Sequence, residues 1–149
     1  MEIRIVQEDA AWRKQFDAFY ANFPQPKLIF TAPHACFAAY HGGEMVAHSV
    51  VYKTRSQWVL DGLRVKPEWR ERGIGKTLTA ERIRYAVKNG AKEIRYDCED
   101  GNLVTTCCHL RFGFQKVGPK GRSSALAKVH RYRLKVTADL LEKLNTYEK

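Results

Sequence analysis

The sequence predicts an α+β fold in which helices pack on one central, mostly antiparallel sheet. Short runs of alternating or wholly apolar residues recur along the chain, as in strands, and longer segments have apolar residues at helical spacing. The predicted order is β-α-β-β-β-α-β-α-β-β, followed by a terminal helix. The 149 residues contain no internal repeat and no evident linker, so we expect a single domain over residues 1–149.

The first half of the chain contains four predicted strands and one helix. Residues 2–6 alternate and predict the first strand. A helix beginning near Glu8 is predicted to turn an aromatic stripe to the core, made of Trp12, Phe16, Phe19, Tyr20 and Phe23. Strands are predicted at 35–40 and 45–52, joined by a hairpin turn at Gly42-Gly43, and at 57–65.

The second half begins with a helix predicted from Gly73 to about Lys88, where Asn89-Gly90 ends it. Arg82 interrupts the apolar face of this helix, and we expect its stem to snorkel to the surface. Next come a strand at 93–97, a short helix at 102–111, a strand at 113–117, a basic loop at 118–128 and a strand at 129–136. Thr137 is predicted to cap a terminal helix whose buried face holds Leu140, Leu141, Leu144 and Tyr147.

Composition narrows the class of protein. The net charge of +10 favours polyanionic partners. No apolar run approaches the roughly 20 residues of a membrane helix, and the N-terminus lacks a signal-peptide core, so we expect no membrane association and a cytoplasmic location. The four cysteines lack Cys-x-x-Cys spacing, which predicts reduced, structural thiols and no metal site.

The most informative segment is residues 60–78, where a buried strand leads through a basic turn into a helix. This order directs free backbone N–H groups and the helix dipole toward an anion. Two known phosphate-binding motifs do not match this segment. A P-loop requires glycine where Arg70 stands, and the dinucleotide fingerprint requires glycine where Leu78 stands.

The pattern Arg70-x-x-Gly73-x-Gly75 remains, preceded by Gly62-Leu-x-Val-x-Pro-Glu-x-Arg70. It resembles the acetyl-coenzyme-A loop of the GNAT N-acetyltransferase superfamily. The resemblance implies a three-layer α/β/α fold with a splayed, mostly antiparallel mixed sheet, acetyl-CoA as cosubstrate, and transfer of the acetyl group to a primary amine. The competing interpretation is an ordinary strand-to-helix turn with solvated basic side chains.

The same resemblance implies which residues bind the cosubstrate. Backbone groups of Leu63 and Val65, with Arg64 between them, would line the pantetheine arm, and the Val65 amide could polarise the thioester carbonyl. The pyrophosphate would be surrounded, mostly through main-chain N–H groups, by Arg70, Arg72, Gly73, Ile74, Gly75, Lys76 and Thr77.

A second motif of the family falls on Asn102, Thr105, His109, Arg111, Gly113 and Phe114. Asn102 would contact the pantetheine or the acceptor. At His109 the family commonly has a tyrosine that protonates the leaving thiolate. Histidine could supply that proton. The alternatives are a histidine that only packs, or a thiolate that leaves without help.

Asp61 is the only acid on the strand at 57–65, and the resemblance places that strand beside the acceptor. We predict that Asp61 removes the proton of the acceptor amine through one ordered water. The alternative is an aspartate that caps or bulges the strand beside Gly62.

The acceptor is left open: it is a small molecule or a peptide N-terminus, and an acidic or aromatic part is plausible. Two other functional classes compete with catalysis. One is a CoA-binding regulatory module without transferase activity, and the other is a nucleic-acid-associated protein, which the charge permits. A monomer or a homodimer is expected.

Overall fold

The structure, a computed structural model, describes residues 1–23, 32–55, 57–99 and 109–145. In chain order the elements are β1 (Glu2–Ile5), α1 (Ala10–Phe19), β2 (His34–His41), β3 (Glu44–Thr54), β4 (Gln57–Val65), α2 (Ile74–Lys88), β5 (Glu93–Glu99), β6 (Gln115–Pro119), α3 (Ser124–Ala127), β7 (Val129–Lys135) and α4 (Ala138–Asn145). The strands form one seven-stranded sheet in the order β1-β2-β3-β4-β5-β7-β6.

Every neighbouring pair in this sheet is antiparallel except β4 and β5, which are parallel. That parallel pair is short: only Trp58 with Ile94 and Val59 with Arg95 lie in register. Beyond these residues β4 continues to Val65 and β5 to Glu99 without pairing with each other. The two strands therefore diverge toward their C-terminal ends, and the sheet is splayed there.

Two helical layers cover the sheet, because neighbouring residues of a strand face opposite sides. On β2, Ala38 and Tyr40 pack with α1, whereas Phe37 and Ala39 pack in the cluster that contains α2 and α4. The α1 side is the predicted aromatic stripe, in which Trp12, Phe16, Phe19 and Tyr20 are buried. The three-layer α+β architecture with a splayed mixed sheet is confirmed.

Local sequence determines several element boundaries. Asp9 caps α1 by accepting a hydrogen bond from Trp12 N at 2.9 Å, and Thr137 Oγ1 accepts one from Leu140 N at 3.2 Å. Gly42 and Gly43 both adopt positive φ, as a two-residue type I′ hairpin requires. The predicted bounds of β4 and α2 agree with the structure.

Three sequence predictions differ from the structure. The predicted loop at 118–128 contains the end of β6 and the single turn α3, which Ser123 caps. Leu141 is 43% exposed, because Leu140 and Leu144 alone already occupy the buried side of this short helix. The α1 helix ends at Phe19, and Tyr20–Asn22 forms a 3-10 turn.

The prediction for Arg82 was wrong. Its side chain does not snorkel but is fully buried, because polar groups inside the protein receive the guanidinium. Nη2 donates to Thr79 Oγ1 at 3.0 Å, and Nη1 lies 3.4 Å from the carbonyl oxygens of Val50 and Asp61. A buried guanidinium is tolerated when hydrogen bonds replace its hydration.

Cys36 and Cys98 are buried. Cys107, Cys108 and most of the helix predicted at 102–111 lie outside the described residues, as does Tyr147. Among the helices of the described ranges, none has the length and apolar character needed to cross a membrane.

Candidate active site

A β-bulge in β4 organises the site. His48 of β3 is opposite Arg64 and Val50 is opposite Asp61, so Gly62 and Leu63 share one partner position, that of Ser49. Gly62 adopts φ +63°, which glycine tolerates without strain. Because a one-residue shift reverses the faces of a strand, Leu60 and Leu63 both enter the α2-side core. Asp61 and Arg64 consequently share the opposite face.

The bulge removes backbone groups from the sheet ladder, and side chains satisfy them. Gly62 N–H donates to Asp61 Oδ1 at 2.8 Å. The Gly62 carbonyl accepts from Tyr20 Oη at 3.3 Å, and Arg82 Nη1 lies 3.4 Å from the Asp61 carbonyl. Buried backbone groups of this kind are costly when unpaired, so these three side chains stabilise the bulge.

A cavity of about 340 Å³ lies where β4 and β5 diverge. It is lined by residues 60–64 of β4, residues 96–99 of β5, Arg82 and His109. Lys66 N–H donates to Val46 O on the β3 side. The backbone N–H and C=O groups of successive residues point alternately to the two sides of a strand. Since those of Lys66 face β3, those of Leu63 and Val65 face the gap between β4 and β5. The gap therefore offers both strand-like backbone groups and acidic side chains.

Among the carboxylates that line this cavity, Asp61 and Asp97 differ in their ionic partners. Asp97 is ion-paired with Lys120 at 3.3 Å and with Arg95 at 3.9 Å. Asp61 instead has one oxygen, Oδ1, on the Gly62 N–H, which leaves Oδ2 outside that bond. Because ion pairs favour the charged form of a carboxylate, we take Asp61 as the candidate proton acceptor of the two.

The N-terminus of α2 forms the second part of the site. Gly73 occupies the N-cap position with φ +81° and no side chain caps the helix, so first-turn N–H groups are open to an external acceptor. A Cβ built at Gly73 meets nothing within 4 Å. Gly75 and Ile74 are buried, so their contribution to an anion would come from backbone N–H groups.

Two basic side chains near this helix terminus make contacts with neighbouring groups of the protein. Arg70 Nε donates to Val65 O at 3.2 Å. The Arg72 guanidinium lies 4.6 Å from the Trp69 ring centroid, a cation–π contact. Thr77 Oγ1 donates to Gly73 O at 3.0 Å, so its hydroxyl is directed back along the helix. Lys76 is half-buried in the first turn.

His109 lies at the inner end of the cavity and is 1% exposed. Its ring stacks on Tyr96 with centroids 4.1 Å apart and meets Phe114 edge-on at 5.6 Å. Nε2 lies 3.4 Å from Arg82 Nη2. A guanidinium only donates hydrogen bonds, so Nε2 acts as the acceptor in this contact.

The structure brings most of the predicted site residues together. Asp61, Leu63, Arg64 and His109 line one cavity, and Val65 continues along the same strand. The predicted pyrophosphate residues lie in the following turn and the first turn of α2, as described above. Arg64 Nη1 donates to the Leu63 carbonyl at 2.9 Å. Asn102 lies outside the described residues.

Sequence reasoning missed the polar groups that support the cavity from within the core. Tyr20 and His48 were predicted only as part of an aromatic stripe and a strand, and Arg82 as a snorkelling side chain. The sequence contained a sign of two of these residues: His48 interrupts an apolar strand, and Arg82 interrupts an apolar helix face.

Known proteins share this architecture. The acetyltransferase (GNAT) family matches residues 3–114, more than half of the chain. A GNAT-family acetyltransferase from Staphylococcus aureus is 14% identical, with 91% of this chain and 100% of that chain covered and a TM-score of 0.70. A ribosomal-protein-alanine N-acetyltransferase from Brucella melitensis is 17% identical, with 91% and 100% covered and a TM-score of 0.67.

A Bacillus subtilis acetyltransferase, solved in complex with CoA, is 18% identical, with 91% of this chain and 99% of that chain covered and a TM-score of 0.64. No curated protein matches the sequence. The chain belongs to the acetyltransferase (GNAT) family. The predicted family, its acyltransferase class and its cosubstrate, acetyl-CoA, are therefore confirmed at the level of the family.

Proposed function

We propose that this protein transfers an acetyl group from acetyl-CoA to a primary amine by direct attack within a ternary complex. The observation that carries the proposal is the cavity between the diverging ends of β4 and β5, with the Asp61 carboxylate on its wall. The uncapped N-terminus of α2, which comes after β4 in the chain, would bind an anion.

The residues present fit CoA. Open space at Gly73 and the uncapped N–H groups after it suit a pyrophosphate, with Arg70, Arg72 and Lys76 nearby. The backbone of Leu63 and Val65 suits an extended amide-containing arm, since their carbonyls can accept a second hydrogen bond beside those from Arg64 and Arg70. The CoA complex of the Bacillus subtilis relative supports this assignment.

Acetyl-CoA supplies an activated acetyl carbonyl carbon. We propose that Asp61, through a water, accepts a proton from the acceptor ammonium, which frees the nitrogen lone pair. A bond forms between this nitrogen and the acetyl carbon, and the carbon–sulfur bond breaks with its electron pair leaving on sulfur. The nitrogen then loses a second proton, which the thiolate takes up, and the products are the amide and CoA thiol.

We propose that His109 packs and does not protonate the leaving sulfur. Its Nε2 faces a guanidinium and acts as an acceptor, so a proton on that nitrogen would face Arg82. A thiolate with a thiol-like pKa of about 8.5 leaves without assistance. His109→Tyr and His109→Gln should then give pH–rate profiles of the same shape as wild type. A descending alkaline limb that moves upward only in His109→Tyr would establish His109 as the acid.

The proposal is tested first by calorimetry with CoA and with acetyl-CoA. Wild type should bind both, and Gly73→Ala should bind more weakly, because alanine resists φ +81° and its methyl group occupies the space proposed for a phosphate. Absence of CoA binding by the folded wild type would overturn the assignment.

The second test is CoA release from acetyl-CoA in the presence of a panel of amines: aminoglycosides, polyamines, free amino acids and peptides with a free N-terminus. Asp61→Asn should lower kcat about 100-fold or more without changing acetyl-CoA affinity. Asp97→Asn is the matched control, since it removes another carboxylate from the same cavity. Equal losses in both variants would refute the role of Asp61 as the base.

A further inference from the structure

A buried polar pair on the α1 side of the sheet contacts the bulge. Tyr20 Oη lies 3.0 Å from His48 Nδ1 and 3.3 Å from the Gly62 carbonyl oxygen. Tyr20 is 3% exposed and His48 is fully buried. The pair therefore links β3 and the 3-10 turn that follows α1 to the β4 residue that follows Asp61.

The directions of these hydrogen bonds follow from their chemistry. Burial lowers the pKa of His48 to about 3, with a smaller contribution from the Arg82 charge, so the ring is neutral. Burial raises the pKa of Tyr20, so its hydroxyl keeps its proton. The Gly62 carbonyl only accepts, so the Tyr20 proton points to it, and His48 Nδ1–H donates to Tyr20 Oη.

The environment of the other ring nitrogen of His48, Nε2, is consistent with these hydrogen-bond directions. Within the described part of the chain, His48 Nε2 is buried without a hydrogen-bond partner. In the arrangement above Nε2 carries only a lone pair, and an unpaired buried acceptor is more readily tolerated than an unpaired buried N–H. The directed chain is therefore His48 Nδ1–H to Tyr20 Oη–H to the Gly62 carbonyl.

This chain of hydrogen bonds is linked to Asp61 through a single residue, Gly62. The Gly62 carbonyl is held by Tyr20, while the Gly62 N–H holds Asp61 Oδ1 at 2.8 Å. From the other face of the sheet, Arg82 approaches the Asp61 and Val50 carbonyls. The bulged residues are thus fixed from both helical layers, by Arg82 at the Asp61 carbonyl and by Tyr20 at the Gly62 carbonyl.

We propose that Tyr20, oriented by His48, is a positioning residue that fixes the Asp61–Gly62 bulge and so directs the Asp61 carboxylate into the cavity. This inference rests on the proposed role of Asp61 as the base. It assigns catalytic importance to two buried side chains that are not among the residues lining the cavity.

The structural part is tested by amide hydrogen exchange measured by NMR, without any acceptor. In Tyr20→Phe the Gly62 amide should exchange about fivefold to tenfold faster than in wild type, the effect of one lost hydrogen bond. Tyr40→Phe is the matched control, because Tyr40 belongs to the same aromatic cluster and does not contact the bulge. Equal Gly62 exchange in Tyr20→Phe and Tyr40→Phe would overturn the proposal.

His48 is tested with two isosteric amides. Asn at position 48 places its amide nitrogen near the position of Nδ1 and can still donate to Tyr20, whereas Gln places it near Nε2. His48→Asn should therefore keep Gly62 protection closer to wild type than His48→Gln does. The reverse order would refute the directed chain.

The catalytic part is a double-mutant cycle on kcat, with acetyl-CoA and an amine that the panel shows to be acetylated. Tyr20→Phe should lower kcat about tenfold with KM for acetyl-CoA unchanged, and should have no further effect in the Asp61→Asn background. An equal loss in both backgrounds would show that Tyr20 does not act through Asp61. Full activity of Asp61→Asn would refute the proposed role of Asp61 as the base. The hydrogen-exchange measurement would then still decide whether Tyr20 fixes the bulge.

Discussion

The neutral, buried His48 predicts a specific loss of stability in acid. Its folded-state pKa is about 3, against an ordinary value of 6.5 in the unfolded chain. A lowered folded pKa means that the stability is fully present above pH 6.5 and is lost as the pH falls toward 3, because only the unfolded chain binds the proton in that window. The perturbation is His48→Asn, which removes the titrating group and keeps a donor toward Tyr20.

The magnitude follows from the two pKa values. At about pH 5 protonation of the unfolded chain costs wild type about 2 kcal/mol of unfolding free energy, and the slope is about 1.4 kcal/mol per pH unit. His48→Asn loses packing and is less stable than wild type near pH 7.5. The difference between the two should shrink by about 2 kcal/mol at pH 5.

Urea denaturation followed by tryptophan fluorescence, from about pH 7.5 to pH 4.5, measures this difference. His48→Gln is a second non-titrating variant in case the first is too unstable to analyse. His41→Asn is the control, since it removes an exposed histidine instead of a buried one. Parallel pH dependences for wild type and both His48 variants would refute the neutral, buried state.

Further predictions follow from single contacts. Glu71 holds φ +62° in the turn before α2, where the phosphates of CoA are proposed to bind. Glu71→Gly should therefore stabilise the protein by about 1 kcal/mol and tighten CoA binding at low salt, whereas Glu71→Ala should tighten CoA binding without stabilising the protein; unchanged CoA affinity in both variants would contradict this. Thr137→Ala should lower the unfolding free energy by about 1 kcal/mol and Thr137→Ser should restore it, because the hydroxyl caps α4. Cys36 and Cys98 should resist iodoacetamide in the native protein and react in urea, as peptide mass mapping would show, because both are buried and burial raises the pKa of Cys36.

The sequence by itself determined the elements whose signals are local. Thr137 and the Gly42-Gly43 pair act within a few residues of themselves, so this cap and this turn could be predicted from composition and spacing. The turn around Gly73 could be predicted in the same way, because its glycine spacing and the helix that follows it are local features of the sequence. The family and its cosubstrate followed from that turn.

Only the tertiary structure decided what the polar residues inside the core do. Arg82 was expected to reach solvent, but its guanidinium is buried because carbonyls of β3 and β4, distant in sequence, replace water around it. Tyr20 and His48 are 28 residues apart and meet only because α1 packs on β3. Sequence spacing cannot show such pairings, since they depend on which faces the sheet brings together.

The candidate base shows both contributions. Asp61 was predicted from its position before the glycine-containing turn, and a bulge beside Gly62 was the alternative interpretation of this aspartate. The orientation of its carboxylate in that bulge depends on contacts from distant parts of the chain. The bulge exists because it places both Leu60 and Leu63 in the core, and its freed backbone groups are satisfied by Tyr20, Arg82 and Asp61 itself. The sequence therefore identified the residue, and packing across three layers determined where its carboxylate points.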